Sequence, residues 1–347
     1  MGRIAPGAPS RRRLLAGAGA LVAAAGAGPA LAWPGDEPAA LSVILDRALA
    51  DGSTSLLVLR DGAVVAERYA AGWDAETPRE IASVGKSIVA VLLAQALEDG
   101  FLTGFDQSAC DFILQWRADD RRGITLRHLM SMTSGLDDTG LALRGVAGDQ
   151  FEINAAAPLR DPPGARWAYN TAAYHLLFHI LARATGDTVE AYAHRRLLGP
   201  LGMTRTTWIT SPGVGADGPV TNYYSAEATA RDLARFGRLI LDEGLWEGER
   251  LISADHVRLL TSASQTLNPS YGLLWWSNAL PGMDATQRVQ GRRFPHSPQD
   301  TVAALGAGGQ AVLIVPSHRI VAVRQGVTPR DPTLFDDLIV AAIGAVG

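Results

Sequence analysis

The chain has 347 residues, 47% hydrophobic and 19% charged, with a formal net charge of −4. That composition can bury a large core and excludes a disordered or collagen-like chain, and the length suits about two domains. Past a short basic cluster near the start there is no basic tail or stripe, which excludes nucleic acid as a partner. The single cysteine, Cys110, excludes an internal disulfide and a cysteine-rich metal knuckle.

Residues 1–32 read as an export segment. Ser10-Arg11-Arg12-Arg13-Leu14-Leu15 has the form of a twin-arginine signal, followed by a Gly/Ala-rich, weakly hydrophobic run to Pro29 and a small-x-small site, Ala30-Leu31-Ala32. Cleavage after Ala32 is expected, with the twin-arginine translocase as export partner and the periplasm or exterior as destination. The competing reading, a retained anchor, is disfavoured by the Gly and Ala content and by Pro29. No later stretch reaches 18 apolar residues, so no stable membrane insertion of the mature protein is expected.

Apolar positions at Leu41, Ile44, Leu45, Ala48 and Leu49 predict a helix over 38–51. Two β-rich runs, 55–60 and 63–69, meet at Asp61-Gly62, a strong hairpin signal. A second helix is predicted from near Ser83 to Gly100. From about 105 to 240 helical periodicity dominates (126–132, 172–185, 189–198, 228–241), broken by loops such as Asp161-Pro162-Pro163-Gly164. Strands return at 271–277, 310–316 and 320–326, and a helix over 332–343 closes the chain. The pattern predicts an α/β domain from 38–105 plus 245–347, interrupted by a mostly helical domain at 106–244.

Of the 31 lysines and arginines, one is lysine: Lys86. A guanidinium stays charged at any accessible pH, whereas a desolvated ammonium can give up its proton, so a lone lysine suits a place where chemistry needs a neutral amine. Ser83 lies three residues earlier, in Ile81-Ala82-Ser83-Val84-Gly85-Lys86-Ser87. On a helix these two side chains share a face, and a serine becomes a nucleophile beside a base. A helix N-terminus at Ser83 would add positive partial charge. A phosphate loop ending at Gly85-Lys86-Ser87 would need glycine at position 80, which is Glu80, and no G-x-S-x-G elbow is present. His175 and His179 stand at i and i+4, but residue 176 is leucine and no third ligand is evident, so no metal and no cofactor is expected. Cys110 precedes Asp111 and reads as structural; of Trp275-Trp276, at least one should be core.

Further motifs follow: Tyr169-Asn170-Thr171 before Ala172-Ala173-Tyr174-His175-Leu176-Leu177, then Thr133-Ser134-Gly135-Leu136 upstream, and Gly199-Pro200-Leu201-Gly202-Met203 and Ala304-Leu305-Gly306 downstream. Together with Ser83-x-x-Lys86 the set resembles the penicillin-recognising serine hydrolases, in detail the group of class C β-lactamases, D-alanyl-D-alanine carboxypeptidases, esterases and 6-aminohexanoate-oligomer hydrolases. The resemblance spans about 40–345. It implies a β-lactamase/transpeptidase-like α/β fold, an antiparallel sheet flanked by N- and C-terminal helices with an all-α insertion.

By that resemblance Ser83 is the nucleophile, Lys86 the general base and Tyr169 the proton relay. The backbone N–H groups of Ser83 and Ala307 form the oxyanion hole, and Thr171 and Gly306 contact substrate. A cationic Lys86 is expected to draw the Tyr169 pKa toward neutrality. Two positions depart from the pattern: Thr171 replaces the asparagine of Y-x-N, and Ala304 replaces the cation of the third motif. Both turn the expectation from β-lactams and D-Ala-D-Ala peptides toward small esters or amides without a carboxylate. Arg292, Arg293 and His296 precede that motif on what reads as a solvated loop. The implied activity is an exported serine hydrolase acting on a small ester, amide or peptide through an acyl-enzyme. The alternatives are a β-lactamase or carboxypeptidase, or a non-catalytic binding or sensor protein on the same scaffold.

Overall fold

The computed structural model describes residues 38–139 and 146–344. The expected export segment lies outside them. In chain order the elements that frame the site are α1 (Ala39–Ala50), β1 (Ser53–Arg60), β2 (Ala63–Tyr69), α2 (Val84–Glu98), α3 (Thr171–Thr185), β3 (Thr207–Gly215), β4 (Gly218–Ala228), α4 (Ala230–Leu241), β5 (Trp276–Ser277), β6 (Val302–Gly306), β7 (Gln310–Val315), β8 (Ile320–Gly326) and α5 (Leu334–Gly344).

Six strands form one antiparallel sheet in the order β2-β1-β8-β7-β6-β5. The first and last strands of the chain thus pair inside the sheet, β1 against β8. Asp61 and Gly62 both take positive φ, +50° and +79°, as a two-residue hairpin turn between β1 and β2 requires. Both faces of the sheet are covered, which is why β7 and β8 are buried at every position. On one face α4 comes so close that a side chain on Gly237 would lie 2.5 Å from Val321. On the other, α1 and α5 pack together, and Phe335 of α5 lies 6.0 Å from the guanidinium of Arg324 on β8.

The middle of the chain is less purely helical than its periodicity predicts. Residues 207–228 form a long antiparallel hairpin, β3-β4, joined by the short strand Arg79–Glu80. Its Pro212, Gly213, Gly215, Gly218 and Pro219 read as loop residues, and β3 buries only one of its nine residues, so it shows no apolar alternation. The helix expected at 189–198 keeps α geometry over Val189–Ala193 and widens to a π-turn over His194–Leu198. Of the strand expected at 271–277 only Trp276–Ser277 pairs with β6. Tyr271 folds back to bridge Trp276 through a turn in which Leu274 takes φ +64°.

α2 runs through the middle of this assembly. From Val84 to Ala96 every residue is buried, so the helix has no polar face. It packs against α3 on one side and β6 on another. A serine and a lysine at its first turn are therefore carried into the interior by a helix whose other buried residues are apolar or small apart from Ser87 and Gln95.

Candidate active site

The approach to Ser83 is built by the hairpin. Arg79 and Glu80 pair with Ala228 and Glu227 of β4, and the Ile81 N–H donates to Ala226 O at 2.8 Å. Ala82 then takes φ +47°, a left-handed conformation that costs a non-glycine residue energy and persists only where its surroundings impose it. The chain turns there into α2, whose N-terminal position is Ser83. The Ser83 side chain makes no capping bond to the helix, which leaves Oγ to other partners.

Lys86 Nζ lies 3.0 Å from Ser83 Oγ and 3.3 Å from Thr171 Oγ1 at the start of α3. The amine is also 4.4 Å from the ring centre of Tyr174 and 5.2 Å from that of Tyr169. Lys86 is 2% exposed and no carboxylate faces it, so burial pushes its pKa down to about 7. At neutral pH a large fraction of the side chain is the free amine.

Tyr169 precedes α3, whose N-cap, Asn170, accepts from the Ala173 N–H at 2.8 Å and donates to Leu136 O at 2.9 Å. That double anchor sets the tyrosine in the same cavity as Ser83. Burial pushes the phenol up to about 12, outweighing the opposing influence of the nearby Ser83 hydroxyl and of the Arg293 charge. The sequence-based expectation of a cationic Lys86 drawing the tyrosine toward neutrality is corrected: the lysine is the group whose pKa falls, and the tyrosine stays protonated.

β6 closes the other side. A side chain on Gly306 would lie 2.3 Å from Ile81 O and 3.1 Å from Ser83 N, so only glycine lets the strand approach the helix start. Among the described residues neither the Ser83 N–H nor the Ala307 N–H has a backbone acceptor. Ser83, Tyr169, Trp276, Ala285, Arg293, Leu305, Gly306 and Ala307 line a cavity of about 260 Å³. Thr171 faces the lysine and is not part of that lining. A polar nucleophile, a near-neutral amine, a protonated phenol and two unpartnered N–H groups thus converge on one opening.

The other residues singled out in the sequence sort themselves clearly. Trp276 stacks with Tyr169 at the cavity, ring planes 13° apart, while Trp275 is core against Phe236. His175 is buried and bonded to Gln150, and His179 lies against Phe151 with ring centres 4.8 Å apart, where burial takes its pKa down to about 4. Cys110 is half-buried and its sulfur accepts from Ser108 Oγ. Arg293 overturns the reading of a solvated loop: it lines the cavity, with its guanidinium 3.8 Å from the Trp276 ring centre. The adjacent arginine pair was the only sequence signal, and alternation alone does not say which member turns inward.

Residues 45–337 match the family model described as Beta-lactamase. The chain belongs to the beta-lactamase family. It is a serine hydrolase of that family. It is 26% identical over 222 residues to a 6-aminohexanoate-dimer hydrolase of Paenarthrobacter ureafaciens, covering 57% of this chain and 54% of that protein. It is 28% identical over 198 residues to an esterase of Burkholderia gladioli, covering 48% of this chain and 50% of that one. The alignments thus span about half the length of these two relatives. In three dimensions a penicillin-binding protein homolog from Caulobacter crescentus superposes with a TM-score of 0.68 at 19% identity, covering 90% of this chain and 99% of that one. That likeness establishes the β-lactamase-like fold.

Proposed function

We propose that this hydrolase cleaves small esters or amides through an acyl-enzyme on Ser83. The observation that carries the reading is Lys86 Nζ, held 3.0 Å from Ser83 Oγ with its pKa pushed down to about 7. A free amine has one lone pair and two N–H donors. The lone pair takes the Ser83 proton as Oγ attacks the substrate carbonyl, and Thr171 Oγ1 accepts one of the N–H bonds. The ammonium so formed sits beside the faces of Tyr169 and Tyr174, which stabilise positive charge. Negative charge on the carbonyl oxygen is received by the N–H groups of Ser83 and Ala307. As the tetrahedral intermediate collapses, the carbon–leaving-group bond breaks. Tyr169 hands its proton to the departing oxygen or nitrogen and is replenished from Lys86. Water repeats the sequence in reverse order to free Ser83. A protonated Tyr169 suits that relay better than a phenolate.

The test is a panel of small esters, linear amides and β-lactams offered to purified protein, with Ser83→Ala beside it. Native protein is expected to turn over the esters or amides and Ser83→Ala none of them. Folded Ser83→Ala retaining native rates would overturn the reading. Export by the twin-arginine route belongs to the same proposal, supported by the motif at Arg11 and Arg12. Replacing both with lysine should block export, and unchanged export would refute it.

A further inference from the structure

Arg324 on β8 is fully buried, and the reaction sequence above makes no use of it. It lies outside the cavity lining, and among the described residues no carboxylate is within ion-pair distance of it. The acid that acts on it, Asp51, is taken up by Arg330 at 2.9 Å and by the Asp331 N–H at 3.1 Å. Burial lowers the Arg324 pKa to about 10, which still leaves it protonated at neutral pH. A desolvated guanidinium without a counter-ion is costly, so stability alone does not account for it.

Its hydrogen bonds go to neutral oxygens. Nε donates to Ser53 Oγ at 2.9 Å, Nη1 to Gly309 O at 2.7 Å and Gly308 O at 3.3 Å, and Nη2 to Val327 O at 2.8 Å. Ala307, Gly308 and Gly309 are the three residues that join β6 to β7, between the paired Gly306 and Gln310. Both turn glycines take φ +76°. Glycine permits that conformation but does not select it, so the shape of the turn must be fixed from outside. A side chain on Gly309 would lie 2.4 Å from Arg324 Nη1, which shows how directly the turn rests on the guanidinium. Gln310 Nε2 adds a bond to Gly308 O at 3.3 Å and ties itself to Gly326 O at 2.7 Å.

We propose that Arg324 is a positioning residue for the oxyanion hole: by gripping the Gly308 and Gly309 carbonyls from outside the cavity, it fixes the turn that aims the Ala307 N–H. The inference rests on the acyl-enzyme reading of Ser83, with the Ala307 N–H as one of its two donors. Arg324 touches neither substrate nor reacting atoms. The planar fork of arginine reaches the turn, β1 and the exit of β8 at once, and a lysine does not reproduce that geometry.

The test uses two esters that differ in one atom, 4-nitrophenyl butyrate and its thiono analogue, each rate taken relative to hydroxide-catalysed hydrolysis. Sulfur is the weaker hydrogen-bond acceptor, so the oxo-to-thiono ratio of kcat/KM reports how well the hole is aimed. In native protein the ratio should be well above ten, since one hole donor is worth about 10²- to 10³-fold. In folded Arg324→Met it should fall about tenfold, while the pH midpoint near 7 set by Lys86 stays in place. Arg324→Lys should restore part of the ratio. A smaller folded fraction slows both esters alike, so Leu45→Ala, a buried truncation in α1, should melt lower and keep the native ratio. An unchanged ratio in folded Arg324→Met overturns the proposal, and Arg324→Gln serves the same comparison if the methionine variant does not fold. A native ratio near one removes the role of Ala307 and the proposal with it. Ser83→Ala separates the claims: if it still hydrolyses both esters the acyl-enzyme reading fails, whereas an unchanged ratio on a Ser83-dependent reaction removes only the role of Arg324.

Discussion

Lys86 shows how much can rest on one side chain. Arginine serves as the cation everywhere else in the chain, so a site that needed only positive charge would be expected to carry arginine here too. Lys86→Arg keeps the charge and removes the base, because a guanidinium pKa above 12 leaves no usable free base. General-base catalysis contributes about 10²- to 10⁴-fold, and we expect a loss of that size in the acylation rate of folded Lys86→Arg. Retention of more than about a tenth of the native rate would make Lys86 an electrostatic residue. The native enzyme should also show the titration directly. With the amine at about 7, kcat/KM should drop about tenfold per pH unit below that value and level off above it. A flat profile from pH 5 to 8 would contradict a lysine base. The same chemical reasoning picked out Ser83 and Lys86 in the sequence, since their spacing on a helix already makes them neighbours. Arg293 was not legible, because the turn of a loop, and not its composition, decides which of two adjacent arginines points inward.

Among the elements, β6 and the hairpin β3-β4 do the positioning. Gly306→Ala would set a methyl carbon 2.3 Å from Ile81 O, and both partners there are backbone, so strand and helix start must separate. Overpacking of that kind costs about 1–3 kcal/mol. We expect a lower melting temperature together with a fall in acylation of at least tenfold, because the Ala307 N–H moves with the strand. Gly104→Ala, where the added carbon meets nothing closer than 3.9 Å, should leave both unchanged and controls for the substitution itself. Most elements were legible from periodicity: β2 and β8 occupy the residues read from the sequence, and α1, α2, α3 and α4 differ by a residue or two at their ends. The hairpin was not, since its strands carry glycine and proline and β3 buries only one of its nine residues, leaving no alternation to read. Yet this hairpin holds Arg79, Glu80 and Ile81 in line and so aims Ser83.

For the molecule as a whole, the site is a burden on stability. In the unfolded chain Lys86 holds its proton up to about its ordinary value of 10.5, and in the folded chain only up to about 7. Between those values the unfolded state binds the extra proton, so the contribution of this residue to stability improves as pH rises and is worst at and below neutrality. At about 1.4 kcal/mol per pKa unit the penalty near pH 7 is several kcal/mol, more than the roughly 1 kcal/mol each that its two hydrogen bonds return. Lys86→Met should therefore melt higher than native protein at pH 7, and the gap should narrow toward pH 9.5. Lower stability of Lys86→Met at pH 7 would show that the lysine is not held against its preference for charge. The central claim is the covalent one, and the lone lysine makes it simple to test. Trypsin cuts after Arg79 and Lys86, so residues 80–86 form a peptide whose one serine is Ser83, with Ser87 on the next. Protein reacted with a fluorophosphonate and digested should carry the adduct on the 80–86 peptide, by mass spectrometry; an adduct found on any other peptide, with this one unmodified, would contradict Ser83 as the nucleophile.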